Sequence, residues 1–150
     1  MESVRELLCR EVAYGSVEYD ATLALRDGLL RKPLGLRFTE VELAKEETSY
    51  HFGGWIGTDL AACLVLTPSS ETRVQLRQCV VREELRGKGY GKKIVQFAET
   101  FAREHRYRQI TMHARVTAIG FYEKLGYLVE GEPYIEVTIP HVTMGKDIQP

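Results

Sequence analysis

The chain has 150 residues, 44% hydrophobic and 27% charged, with a formal net charge of −1 at pH 7. That mixture belongs to a globular protein long enough to bury one core, and it lacks the basic excess of nucleic-acid binders. The longest apolar run, Leu60–Leu66, is of strand length and far too short to span a membrane, so neither nucleic acid nor membrane is expected as a partner.

In chain order, the opening MESVRELLCREV has acidic residues and no apolar run before a cleavage site, which favours the cytoplasm over export. Residues 3–13 mix apolar and charged side chains and read as a first strand, with Arg5–Arg10 equally able to extend a helix. Ser16 offers a helix cap, Glu18 and Asp20 suit the positive end of the dipole, and Ala21, Leu25 and Leu29 share a face. The spacing predicts an amphipathic helix over 17–31, ended by Pro33 and Gly35. Glu40–Glu47 reads as a short helix or a loop, with Lys45, Glu46 and Glu47 as a solvated face. Gly53, Gly54 and Gly57 punctuate two strands, Pro68–Ser70 is a turn, and Val74–Val81 is a β-rich run with Val74 and Leu76 on one face.

A glycine-rich turn, Arg86–Gly91, then leads into Ile94, Phe97, Ala98, Phe101, Ala102 and His105, an apolar helix face on which His105 is expected to be partly buried. Ile110–Ala114 is a short strand. Ala118, Phe121, Tyr122 and Leu125 make a second helix face, stopped by Gly126. Residues 127–148 form two more strands, joined through Gly131–Pro133 and Pro140. No linker or repeat interrupts this series, which reads as one α/β domain over residues 1–150. Cys9, Cys63 and Cys79 are isolated among apolar neighbours, without metal-ligand spacing or a disulfide framework, and read as small buried hydrophobes. No metal is expected.

Strand, glycine turn and helix in succession suit an anion. The first amides of a helix are unpaired and lie at its positive end, and glycines let the preceding backbone approach phosphate oxygens closely. Arg86, Lys88, Lys92 and Lys93 add positive charge there. Gly91-Lys92 is followed by Lys93, which removes the hydroxyl of a G-x-x-x-x-G-K-[ST] loop, and Lys92 breaks a G-x-G-x-x-G pattern. A plain structural turn is the bland alternative.

Val80 to Gly91 resembles the acyl-coenzyme A signature of the GNAT N-acetyltransferase superfamily, whose core Q/R-x-x-G-x-G/A maps onto Arg86, Gly89 and Gly91. Ala118, Tyr122 and Gly126-Tyr127 resemble the family's A-x-x-x-Y-x-x-x-G-F/Y element, with Arg115 standing where an asparagine is common. The segments Gly131–Glu136 and Ile139–Met144 are similar to the ElaA-like or YjcF-like branch. The resemblance implies a mixed, mostly antiparallel central sheet flanked by helices, with a splayed strand pair at the acyl-CoA site. It implies acetyl-CoA or another acyl-CoA as donor, held by Cys79, Val80, Val81, Arg86, Gly87, Lys88, Gly89, Tyr90, Gly91, Lys92, Ala118 and Tyr122. Amides near Val80–Arg82 would receive the thioester carbonyl.

Attack on a thioester needs a neutral amine, N–H donors for the developing oxyanion and a proton donor for the departing thiol. On the resemblance, Tyr122 is the thiol-side acid, with an ordinary core tyrosine as its rival. Glu136 and His141 are the base candidates, lying near the acceptor side, while a solvated carboxylate and a structural histidine compete for them. His113 ends the strand before the Tyr122 helix, and Glu132 lines the acceptor entrance or merely occupies a turn. His51 and His105 lack metal spacing, and Tyr14, Tyr19 and Tyr50 are explained by packing as readily as by a pocket. The expected activity is direct transfer of an acetyl or other small acyl group to a primary amine, a small molecule by preference and a peptide or protein amine otherwise. A non-catalytic acyl-CoA-binding or regulatory protein is the alternative. Many relatives pair through sheet edges, which leaves a homodimer open.

Overall fold

The structure, a computed structural model, describes residues 5–149, so Val4 and the residue before it in the 3–13 reading lie outside it. Seven strands form one sheet: β1 (Leu8–Val12), β2 (Tyr50–Ile56), β3 (Asp59–Pro68), β4 (Arg73–Val81), β5 (Gln109–Arg115), β6 (Leu128–Glu136) and β7 (Ile139–Asp147). Their spatial order is β1-β2-β3-β4-β5-β7-β6. Every neighbouring pair is antiparallel except β4 and β5, which run parallel because a helix carries the chain across between them.

That crossover helix is α3 (Tyr90–Glu104). It buries Ile94, Ala98 and Ala102 against the sheet as their spacing predicts, and Val95 and Glu99 besides. Glu99 is tolerated there because the Tyr127 hydroxyl and Lys146 Nζ reach its carboxylate at 2.9 and 3.0 Å. His105 departs from expectation: it caps the helix end, is exposed, and stacks on Phe101 at 3.9 Å.

The first helix shows the largest difference. α1 covers Val17–Arg26 and continues through a wider turn over Asp27–Arg31 into a single 3₁₀ turn ending at Gly35. Its inward residues are Tyr19, Thr22 and Arg26, whereas Ala21 is exposed and Leu25 and Leu29 are only half-buried. A buried partner explains the reversal. Arg26, fully buried, donates to both carboxylate oxygens of Glu46 at 2.8 and 2.9 Å, and the Tyr19 hydroxyl adds a bond of 2.7 Å. Glu46 is therefore not part of a solvated face, although Glu47 beside it is exposed. The acidic stretch itself forms α2 (Glu40–Ala44), closed by a reciprocal capping box between Thr39 and Glu42.

Two further readings change. Gly53 and Gly54 lie inside β2, where glycine is needed because a Cβ at Gly53 would stand 2.5 Å from the Trp55 ring and one at Gly54 2.9 Å from Leu7. The β6–β7 hairpin turns at Val137 and Thr138, while Gly131–Pro133 forms an irregularity within β6 between Glu130 and Tyr134. The short helix α4 (Ile119–Lys124) buries Tyr122 alone and leaves Phe121 exposed, so the second helix face is narrower than its spacing suggests.

Candidate active site

The site begins where the sheet comes apart. β4 and β5 pair only from Arg73 with Gln109 to Leu76 with Met112. Beyond that point β4 stays with β3, through Cys63–Val80 and Ala62–Val81, while β5 stays with β7, through His113–Thr143 to Arg115–His141. The splayed strand pair expected from the resemblance is thus present. On the β4 side the cause is a bulge: the register with β3 slips by one residue, and Gln78 takes a φ of 52°. A non-glycine residue in that region is strained by about 1–3 kcal/mol and needs support. Buried Arg26 supplies it by donating to the Gln78 side-chain carbonyl, which ties the Arg26–Glu46 pair to the shape of the opening.

A cleft of about 550 Å³ fills this opening, lined among others by Cys79, Ala118, Tyr122, His113, Glu136 and His141. Three neighbouring strands, β5, β7 and β6, supply its far wall. Side chains alternate faces along a strand, so His113 and Arg115 of β5 face the same way as His141, the direct partner of Arg115 across β7. Tyr134 lies opposite His141 on β6, and Glu136 is two residues further on the same face. The result is a compact group. His113 Nδ1 contacts Glu136 Oε1 at 2.8 Å, and His141 Nε2 stands 3.8 Å from the other carboxylate oxygen. The second nitrogen of His141, Nδ1, is 2.7 Å from the Ile139 carbonyl, which orients the ring. Tyr134 packs edge-on to His113 and stacked on His141. Glu132, by contrast, is exposed and does not line the cleft.

Tyr122 stands on the near wall, 7% exposed, with its hydroxyl beside the Cys79 thiol. Burial first, then the neighbouring Cys79, pushes the tyrosine pKa well above 10, which keeps the hydroxyl protonated as a donor. Burial also pushes the Cys79 thiol up to about 12, so little nucleophilic thiolate exists near neutrality. Cys79 lines the cleft, Cys63 is buried and Cys9 is half-buried on β1.

The backbone of β4 supplies the remaining donors. The Arg82 N–H bonds the Ala61 carbonyl at 2.9 Å, so that amide is taken by β3. By strand alternation the Val81 N–H faces the other way, into the opening. Of the region Val80–Arg82, Arg82 thus has its amide paired with β3, while Val81 turns its own toward the split. The side chain of Val80 is buried and that of Val81 packs near Gly91.

Past β4 the chain makes a 3₁₀ turn at Glu83–Leu85 and reaches Arg86–Gly91. Gly87 and Gly89 take φ of 77° and 88°, which side-chain-bearing residues adopt only under strain, and no side chain caps α3. Its first amides are open to an anion. At Gly91 a Cβ would stand 3.0 Å from the Phe121 ring, so this glycine permits the helix start to approach α4. Arg86, Lys88 and Lys92 are exposed around the turn. Tyr90 differs, because its side chain is buried and its hydroxyl donates to the Arg5 carbonyl at 2.8 Å, leaving only its main chain for a ligand. Lys93 leans over Cys9 on β1, away from the turn.

Other expected candidates serve packing. Tyr14 bonds the Leu43 carbonyl, Tyr50 meets Tyr107, and buried His51 holds the Glu46 carbonyl at 2.8 Å. Sequence reasoning passed over Arg31, Glu42, Arg77 and Gln78 as cleft residues. No local signal in the sequence marks any of them, since they reach the cleft through folding.

A mixed sheet split between parallel strands, with a glycine turn leading into an uncapped helix at the split, defines a protein of the acetyltransferase fold. The chain belongs to the acetyltransferase (GNAT) family, whose model it matches over residues 12–127. An uncharacterised Bacillus subtilis protein, YyaT, is 32% identical over 115 residues, 74% of this chain and 74% of its own length. Uncharacterised acetyltransferases of Streptococcus pyogenes are 38% identical over 69 residues, so the match spans about half their length, 47%. Among solved structures, Escherichia coli ElaA superposes with a TM-score of 0.81 at 20% identity, over 94% of this chain and 99% of that one. An aminoglycoside 6'-N-acetyltransferase complexed with coenzyme A does so with a TM-score of 0.78 at 17% identity, over 95% and 98%. At these identities the superpositions establish the fold.

Proposed function

We propose that the chain acts as one N-acyltransferase domain that moves an acetyl or other small acyl group from acyl-CoA directly to a primary amine, a small molecule by preference. The observation that carries this reading is the split between β4 and β5, with Tyr122 on one wall and the His113–Glu136–His141 group on the other. The coenzyme-bound relatives of this fold lend support, and the cradle at Arg86–Gly91 suits a pyrophosphate.

In this reading the pantetheine arm lies along Cys79–Val81 and the pyrophosphate meets the amides from Gly87 to Lys92. Ala118, half-buried at the start of α4, borders the thioester. The neutral amine nitrogen attacks the thioester carbon and, as the C–N bond forms, passes one proton to Glu136 or His141, directly or through water. The Val81 N–H receives the oxyanion. When the C–S bond breaks, Tyr122 gives its proton to the departing sulfur. No cysteine relay is needed, since a thiol with a pKa of about 12 is a poor nucleophile.

The test is thiol release from acetyl-CoA against a panel of amines and peptides, with mass spectrometry of the products. An amine heavier by one acetyl group supports transfer. Tight acetyl-CoA binding without any acylated product across the panel overturns it in favour of a non-catalytic acyl-CoA sensor.

A further inference from the structure

The acceptor end of the cleft carries more positive charge than transfer to an amine requires. Arg31, Arg77 and Arg115 line it, against Glu42 and Glu136. Both carboxylates are already engaged, Glu42 by Arg31 at 3.0 Å and Glu136 by His113 at 2.8 Å. Arg115 makes no ion pair among the described residues, and its guanidinium donates a single long bond of 3.4 Å to the Leu30 carbonyl. It is half-buried, and burial together with the Arg31 charge draws its pKa down. Two guanidiniums drawn together in a partly desolvated cleft repel each other, and an anion held beside them relieves that repulsion.

Its placement matters as much as its charge. Arg115 is the direct cross-strand partner of His141, and such residues have Cβ atoms about 4.5–5.5 Å apart. A guanidinium without an ion partner, lining the same cleft as the base, would repel a simple cationic amine. It would hold an amine that brings its own negative charge.

We propose that the acceptor is an amine that also carries an anionic oxygen group, a carboxylate or a phosphate, a few bonds from its nitrogen. Arg115 grips the anion with Arg31 behind it, while Glu136 and His141 face the nitrogen. This assignment rests on the acyl-transfer reading. The balance of that reaction is unchanged: the C–N bond forms, the C–S bond breaks, one proton passes to the base and one to the sulfur, and the anionic group stays intact.

The experiment compares acceptors in matched pairs at equal concentration of free base: phenylalanine with phenylalaninamide, β-alanine with its amide, and O-phosphoethanolamine with ethanolamine. Charge-assisted hydrogen bonds are worth enough to give about a ten- to hundredfold higher kcat/KM for the anionic members. The amino-acid pairs and the phosphate pair separately show which oxyanion fits. Arg115→Gln brings the ratio close to one, mainly through KM, and Arg115→Lys keeps part of the preference, with thermal unfolding confirming that both variants fold. Neutral amines that match their anionic partners, or a ratio untouched by Arg115→Gln, overturn the assignment. If no acceptor turns over, acyl transfer itself fails, and binding to the CoA-loaded protein decides the anion site. N-acetylphenylalanine and N-acetyl-O-phosphoethanolamine are then compared with N-acetylphenylalaninamide. A preference of tenfold or more that vanishes in Arg115→Gln supports the site, and equal binding of acid and amide overturns it.

Discussion

At the scale of single residues, Tyr122 and Cys79 show how one environment assigns opposite chemistry to two ionisable groups. The same burial that keeps the tyrosine protonated keeps the thiol protonated too. In the proposed transfer a protonated phenol can serve the leaving sulfur, whereas a protonated thiol is inert. Positioned proton transfer is worth about 10²–10⁴-fold in rate. Tyr122→Phe is therefore expected to lower kcat at least about a hundredfold while acetyl-CoA affinity, measured by calorimetry, stays within a few-fold. Unchanged turnover would remove Tyr122 from the proton inventory without touching the transferase reading.

At the scale of elements, the turn into α3 and the bulge in β4 do different work. Gly89 has open space around its missing Cβ, so its φ of 88° is what demands glycine there. Gly89→Val imposes strain of about 1–3 kcal/mol on the cradle, and is expected to weaken acetyl-CoA binding about tenfold or more with the fold retained. Affinity equal to that of the unaltered protein would show that the cradle holds no phosphate. The bulge relies instead on Arg26, and through it on Glu46. Removing one member of a buried pair leaves the other charge uncompensated, so Glu46→Ala is expected to cost about 3–5 kcal/mol in urea unfolding. A loss below about 1 kcal/mol would mean that water reaches Arg26 and that the pair is effectively a surface one.

At the scale of the whole molecule, the buried ionisable groups set a response to acid. Burial holds the His51 pKa below 6.5, so the unfolded chain takes up that proton first as pH falls. For Glu46 burial pushes the pKa up, but the hydrogen bonds and charge of Arg26 outweigh it and leave the net value below 4.5. Glu42 ends below 4.5 as well, through Arg31 and the Thr39 cap acting against its own desolvation. All three shifts have the same sign for stability. Unfolding free energy is expected to hold above pH 6.5, to fall between pH 6.5 and the lower native pKa of His51, and to fall again below pH 4.5. Denaturant titrations across pH 3–8 check this, and a stability that rose on acidification would contradict the buried-neutral state of His51.

What depends on neighbours along the chain could be read before any fold was known. The glycine turn at Arg86–Gly91 and the helix after it were legible because positive φ and a period of 3.6 residues are local properties, and with them came the family resemblance. Tyr122, Glu136 and His141 could be named by resemblance, but nothing local said that Glu136 would stand between two histidines. That was settled by tertiary folding. It also turned α1 to bury Arg26 instead of Leu25, drew Glu46 out of an apparently solvated face, and set Arg115 beside His141. The physical reason is common to all of these. Whether a charge is buried, paired or left free depends on which strands become neighbours, and those pairings join residues that are far apart in the chain.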